Sequence, residues 1–154
     1  MTDPGSRTYH HTQKGPWGLM CYAFAGGFLL ASLSLPVLAL QITFFVTALF
    51  MLLLGVSMGH LTVEDEGDRL SVRFGPFPLF RRRIPYDDIL EVETGRTTFL
   101  DGWGIHWSPW SGWVWNVWGY DCVVLRLKRG RLKIGTDDAE GLAGFVRTRV
   151  AVKG

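Results

Sequence analysis

Gly15–Gly59 reads GPWGLMCYAFAGGFLLASLSLPVLALQITFFVTALFMLLLGVSMG, 45 consecutive residues without an Asp, Glu, Lys or Arg. Wound as helix at roughly 1.5 Å per residue it reaches about 67 Å. A bilayer core takes about 20 apolar residues per crossing, so the stretch holds two crossings. The break falls at Ser32-Leu33-Ser34-Leu35-Pro36, because proline cannot continue a helical ladder and the serines suit a tight turn. The expected helices run from about Trp17 to Leu33 and from about Val37 to Met58. Pro16 suits the first helical position and Trp17 the place of an interfacial anchor. The first apolar run is too long for a cleaved signal core, and a second follows at once.

Around this hairpin (residues 16–59) lie a polar N-terminal tail (1–15) and one small domain (60–154). The 154 residues are 47% hydrophobic and only 19% charged, below the quarter usual for soluble domains. Arg7 and Lys14 flank one end of the hairpin, Arg69, Arg73 and Arg81-Arg82-Arg83 follow the other, and the turn between is uncharged. The positive-inside rule places both termini and the C-terminal domain in the cytoplasm. A net charge of +2 gives no basic face for nucleic acid. The spans carry no charge and no His, which leaves a proton relay or His-ligated haem nothing to use. Ala23, Gly27 and Ala31 recur every four residues. Such a stripe serves either the hairpin's own contact, facing Thr43 and Thr47, or the helix of another protein.

After Gly59 the pattern alternates with period two. His60–Glu64 and Arg69–Phe74 flank the turn Asp65-Glu66-Gly67-Asp68. Strands follow at Leu79–Ile84, after Pro76 and Pro78, and at Ile89–Thr94. Cys122–Lys128 and Arg131–Ile134 flank the tight turn Arg129-Gly130. A helix over about 137–150 closes the chain, capped by Asp137 with Glu140 or by Thr136, with Arg147 and Arg149 in its last turn. Its Leu142, Phe145, Val146 and Val150 share one face. Gly141 and Gly144 weaken it in isolation, so packing must hold it.

Ile84-Pro85-Tyr86-Asp87-Asp88-Ile89, Gly102-Trp103-Gly104-Ile105-His106, Val114-Trp115-Asn116-Val117-Trp118-Gly119 and Ile134-Gly135-Thr136-Asp137-Asp138, in this order before a final helix, resemble the bacterial pleckstrin-homology-like domains. Many of those follow a two-helix membrane hairpin, and the resemblance spans about residues 60–150. It implies an α+β membrane protein of the bacterial cytoplasmic (inner) membrane: a transmembrane hairpin, then a small antiparallel barrel or sandwich capped by the C-terminal helix. It implies no activity and supplies no catalytic residue.

The residues point the same way. His10 and His11 fall in the tail, His60 at the membrane edge, and His106 stands alone beside Trp103 and Trp107, so no metal shell is completed. Cys21 and Cys122 read as reduced packing residues. Asp87-Asp88 and Asp137-Asp138 are turn and cap pairs. No phosphate loop, Ser–His–Asp set or Cys-x-x-Cys occurs. The chain reads as a non-enzyme without cofactor or metal.

Tryptophan is the unusual feature. Six of the seven fall between Trp103 and Trp118, more rings than so small a core absorbs. As a strand, Trp113 and Trp115 share one face. Ser108-Pro109-Trp110-Ser111-Gly112 reads as a loop tip, which makes Trp110 the most exposed ring. Trp107, Trp110 and Trp113 form the expected protein contact, since indoles favour interface hot spots and headgroup depth. Arg81, Arg82 and Arg83 alternate on a strand, so the three cannot line one pocket. They serve either topology or attraction to anionic headgroups. The expected function is a scaffold or accessory subunit of a larger membrane protein complex, with membrane lipids and one or more integral membrane proteins as partners; an energy-transducing complex, respiratory or photosynthetic, would be a natural host, though no residue selects one. The alternatives are a lipid-headgroup module and a homo-oligomer.

Overall fold

The computed structural model describes residues 8–76, 80–98 and 103–153. Arg7, Pro78, Leu79 and Gly102, used in the sequence reading, lie outside these residues.

Two apolar helices, α1 (Trp17–Ser34) and α2 (Leu38–Met58), form an antiparallel hairpin broken at Leu35–Val37. Both are long and apolar enough to cross a membrane. Gly18, Ala25 and Ser32 of α1, spaced by seven, are buried against Ala48 and Gly55 of α2. A Cβ on Gly18 would meet the Gly55 carbonyl oxygen at 3.2 Å, and one on Gly55 would meet the Tyr22 ring at 2.6 Å. Phe28 and Phe44 pack edge to face, 5.6 Å between centroids. The outward surface is apolar, with Leu19 73% and Leu33 76% exposed. Lipid or protein must cover it.

The hairpin is spliced into a β-hairpin. His10–Lys14, expected as part of a polar tail, is a strand (β1) paired antiparallel with β2 (His60–Asp65), Lys14 opposite His60. The Gly15 N–H donates to the Gly59 carbonyl at 3.0 Å, closing the ladder where the chain enters and leaves the helices. The ladder continues through β3 (Arg69–Phe74) to β4 (Phe80–Pro85), giving an antiparallel sheet β1-β2-β3-β4.

Pro85 ends β4, since it has no N–H to extend the ladder, and the short 3-10 turn Tyr86–Asp88 leads into a second sheet. This holds β5 (Ile89–Arg96), β6 (Gly104–Ser108), β7 (Gly112–Asn116), β8 (Asp121–Leu127) and β9 (Arg131–Gly135), in the order β5-β8-β9-β7-β6. Among the described residues the two sheets do not close into a barrel. Nor is the pairing wholly antiparallel, because β7 runs parallel to β9. The cause is the turn after β7. Its chain returns as β8 on the far side of β9, so the β6–β7 hairpin is left to flank β9 from the other side.

One core joins the sheets. Leu61, Val63, Leu70, Val72, Phe74 and Ile84 of the first meet Val92, Trp115, Val123, Leu125, Leu132 and Ile134 of the second. Helix α3 (Ala139–Lys153) adds Leu142, Ala143 and Val146 to it. Burial of each such aliphatic side chain contributes about 1.5–3 kcal/mol. The cap of α3 is Asp138 rather than Asp137. Its carbonyl accepts from Leu142 N–H at 3.0 Å and its carboxylate from Gly141 N–H at 3.2 Å. A Cβ on Gly141 would collide with that carboxylate, which is why glycine stands inside the first turn. Asp137 instead meets His11 at 2.5 Å. Tyr9 stacks on Phe145 at 5.4 Å and donates its hydroxyl to Asp138 at 3.0 Å.

Candidate functional site

The clustered tryptophans fall into three groups. Trp115 is in the core, 5.9 Å from Phe74. Trp103 and Trp118 stack at 5.1 Å, and Trp103 lies 5.6 Å from Trp17, so this group ties the domain to the start of α1. Beside it a cavity of about 230 Å³ is lined by Trp17, Cys21, Met58, Phe74 and Trp103. Trp107, Trp110 and Trp113 form the third group, on the β6–β7 hairpin.

That hairpin turns through Pro109-Trp110-Ser111 and closes at Gly112, whose φ of 75° requires glycine. A Cβ there would lie 2.5 Å from the Arg131 carbonyl oxygen. Lys133 donates to the Ser111 hydroxyl at 3.0 Å and steadies the turn. At the tip, the Trp110 indole is 88% exposed. Trp107 stands opposite Trp113, and the two are 61% and 43% exposed. Alternation puts this pair on the same face as Ile105 and Trp115, two steps back along the ladder, which packs into the core. The core face of the second sheet therefore continues outward past the first sheet, and β6 is its outer edge.

The other end of the hairpin meets the helices. Asn116 lines the cavity with Trp17 and Met58, and Gly104 lies on the same wall. At about 3.4 Å per residue, the tip begins roughly 14 Å along the strand from the helix ends.

The three consecutive arginines are divided by strand alternation. Arg81 pairs with Glu64 at 3.5 Å and with Glu66, and Arg83 with Glu66 at 3.1 Å, on the outer face of the first sheet. Arg73 joins the same lattice, 3.6 Å from Glu64. Arg82 points to the other face, with its guanidinium carbon 6.0 Å from the Trp113 ring centroid. Burial pulls its pKa below the usual arginine value. The sequence reading did not foresee this pair. The signal was alternation itself, which sends Arg82 the same way as Val72 and Val63 across the sheet.

Ala23 and Gly27 are exposed and Ala31 half-buried. A Cβ added at Gly27 would meet nothing within 4 Å. The stripe is therefore not the contact between α1 and α2, which Gly18, Ala25 and Gly55 make instead. Thr43 and Thr47 give their hydroxyls to the Ala39 and Thr43 carbonyls, on their own helix.

The chain matches no protein-family model and no curated protein. Two apolar helices followed by largely antiparallel sheets are compatible with a pleckstrin-homology-like fold.

Proposed function

We propose that this is a non-catalytic integral protein of a bacterial cytoplasmic membrane, with a pleckstrin-homology-like domain on the cytoplasmic side, acting as a scaffold or accessory subunit of a larger membrane complex. The observation that carries the reading is the exposed Trp107–Trp110–Trp113 hairpin edge. Rings of this size are rarely left to water, and Trp is enriched where proteins bind. The outward Ala23–Gly27–Ala31 face of α1 offers a second contact within the membrane.

The headgroup alternative draws less support. Arg81 and Arg83 are committed to Glu64 and Glu66, which leaves Arg82 alone of the three for a headgroup. The deciding experiment is purification from native membranes in mild detergent with Trp110→Ala and Trp113→Ala. Stoichiometric company released by these substitutions upholds the reading. A protein that runs alone or only with itself overturns it.

A further inference from the structure

We infer that the Trp107–Trp113 face receives an acidic–apolar segment of a different protein, in which an aliphatic or aromatic side chain lies across the two indoles and a neighbouring Asp or Glu carboxylate pairs with Arg82. This rests on the hairpin being a protein contact, and names its occupant.

The apolar half follows from continuity. Ile105 and Trp115 are roofed by the core, whereas Trp107 and Trp113, next on the same face, are not. The first sheet ends at β4, and Arg82 is the group it places over Trp113. A cation over an indole favours an aromatic floor with an anion at its rim.

The acidic half follows from where unmatched charge collects. Arg69, Arg73, Arg81, Arg83, Arg96, Arg126 and Arg149 each sit within 4.0 Å of a carboxylate. Among the described residues Arg82, Arg129, Arg131 and Arg147 have no such partner; Arg147 gives its Nε–H to the Val92 carbonyl at 3.2 Å, away from the Trp hairpin, which leaves three. All three border this end of the domain. Arg82 and Arg129 line one cleft of about 400 Å³, where the acid, Asp88, is held by Lys128 at 3.6 Å. The Arg131 backbone abuts Gly112 at the base of the Trp110 turn. A half-buried guanidinium without a counter-ion has lost hydration and gained nothing ionic in return, so an incoming carboxylate is favoured there. A second copy meeting it through this same face would bring the same three cations together and be repelled. A phosphate of a lipid headgroup is the competing anion, and the crosslink separates the two.

The test uses the full chain in its native membrane, with the photo-crosslinker p-benzoylphenylalanine in place of Trp107 and, separately, of Trp110. Sequencing of the Trp107-site adduct is expected to give a foreign polypeptide with Asp or Glu within about three residues of the linked position. Arg82→Glu is expected to lower its yield at least tenfold, while Arg82→Lys retains most of it. Arg82→Gln carries the same expectation of loss should Arg82→Glu accumulate poorly. An adduct with a phospholipid, with a second copy, or with a foreign segment lacking an acid overturns the inference, as does a yield indifferent to Arg82. If the Trp110 site still links a foreign protein in those cases, the scaffold reading stands without the acidic partner. If neither site links a protein, both fall.

Discussion

The indole of Trp17, the first residue of α1, lies 5.6 Å from that of Trp103, just before β6, and Trp103 stacks in turn on Trp118. Three rings thus bridge the apolar hairpin and the second sheet. The backbone connections run to the first sheet only, so this stack is a separate tie. Trp103→Ala is expected to destabilise the full chain by about 2 kcal/mol through lost ring contact and burial. Thermal melting in detergent checks this, and Trp103→Phe is expected to restore about half.

The two glycines Gly55 and Gly27 differ in what surrounds them. Gly55→Val drives a side chain into Tyr22 and Cys21 and is expected to lower the thermal midpoint by several degrees. Gly27→Val meets open space and is expected to leave the midpoint of the isolated protein unchanged or slightly higher, because glycine disfavours helix by up to about 1 kcal/mol. Equal loss from both would contradict the assigned faces.

Asn116 is fully buried and latches the turn after β7. Its Nδ2–H donates to the Gly119 carbonyl at 3.0 Å, and its Oδ1 accepts from Trp118 N–H at 3.1 Å. Gly135 leaves room for it, since a Cβ there would collide with the amide. Asn116→Ala is expected to cost about 1–3 kcal/mol by stranding buried polar groups. Gly135→Ala is expected to cost as much while leaving every polar group present, and the pair should be strongly non-additive in a double-mutant cycle.

Tyr86 donates its hydroxyl to Asp65 at 2.8 Å, and Arg149 meets the same fully covered carboxylate at 2.5 Å. Burial first, and then the bond to Asp65, raise the Tyr86 pKa above its usual 10.0. The folded state therefore keeps a proton that the unfolded chain releases near pH 10. Stability is fully present below that pH and falls as pH rises beyond it. Tyr9 is shifted in the same direction, again with burial as the leading cause. Tyr86→Phe is expected to cost about 1 kcal/mol near neutrality and to flatten the loss above pH 10. Melting between pH 7 and 11 reads both effects.

The legible parts of this fold are those where one local signal dominates. Pro36 and the missing charges mark the helix break within one residue of where it lies, and Arg69–Phe74 alternates cleanly enough to be read residue by residue. Trp110 was legible as a tip because proline and glycine bracket it. By contrast, His10-His11-Thr12-Gln13-Lys14 has no apolar alternation. It is a strand because the edge of β2 offers it a ladder, a partner 50 residues away in sequence for Thr12. The parallel β7–β9 pairing is equally silent locally, since it depends on which side of β9 the chain returns. Arg81-Arg82-Arg83 was read rightly as divided by alternation, but no pattern announces that Glu64 and Glu66 claim two of the guanidiniums and Trp113 the third.

The splice of α1 and α2 into the β1–β2 turn also orders events during synthesis. Lys14 cannot find His60 until every residue between them has emerged and folded back. The first sheet thus gains its outer strand only once the chain has turned back at Leu35–Val37 and brought Gly15 beside Gly59, and a ribosome-bound chain that has not yet turned back presents an open β2 edge. Completion of that edge is a built-in report that the hairpin has formed.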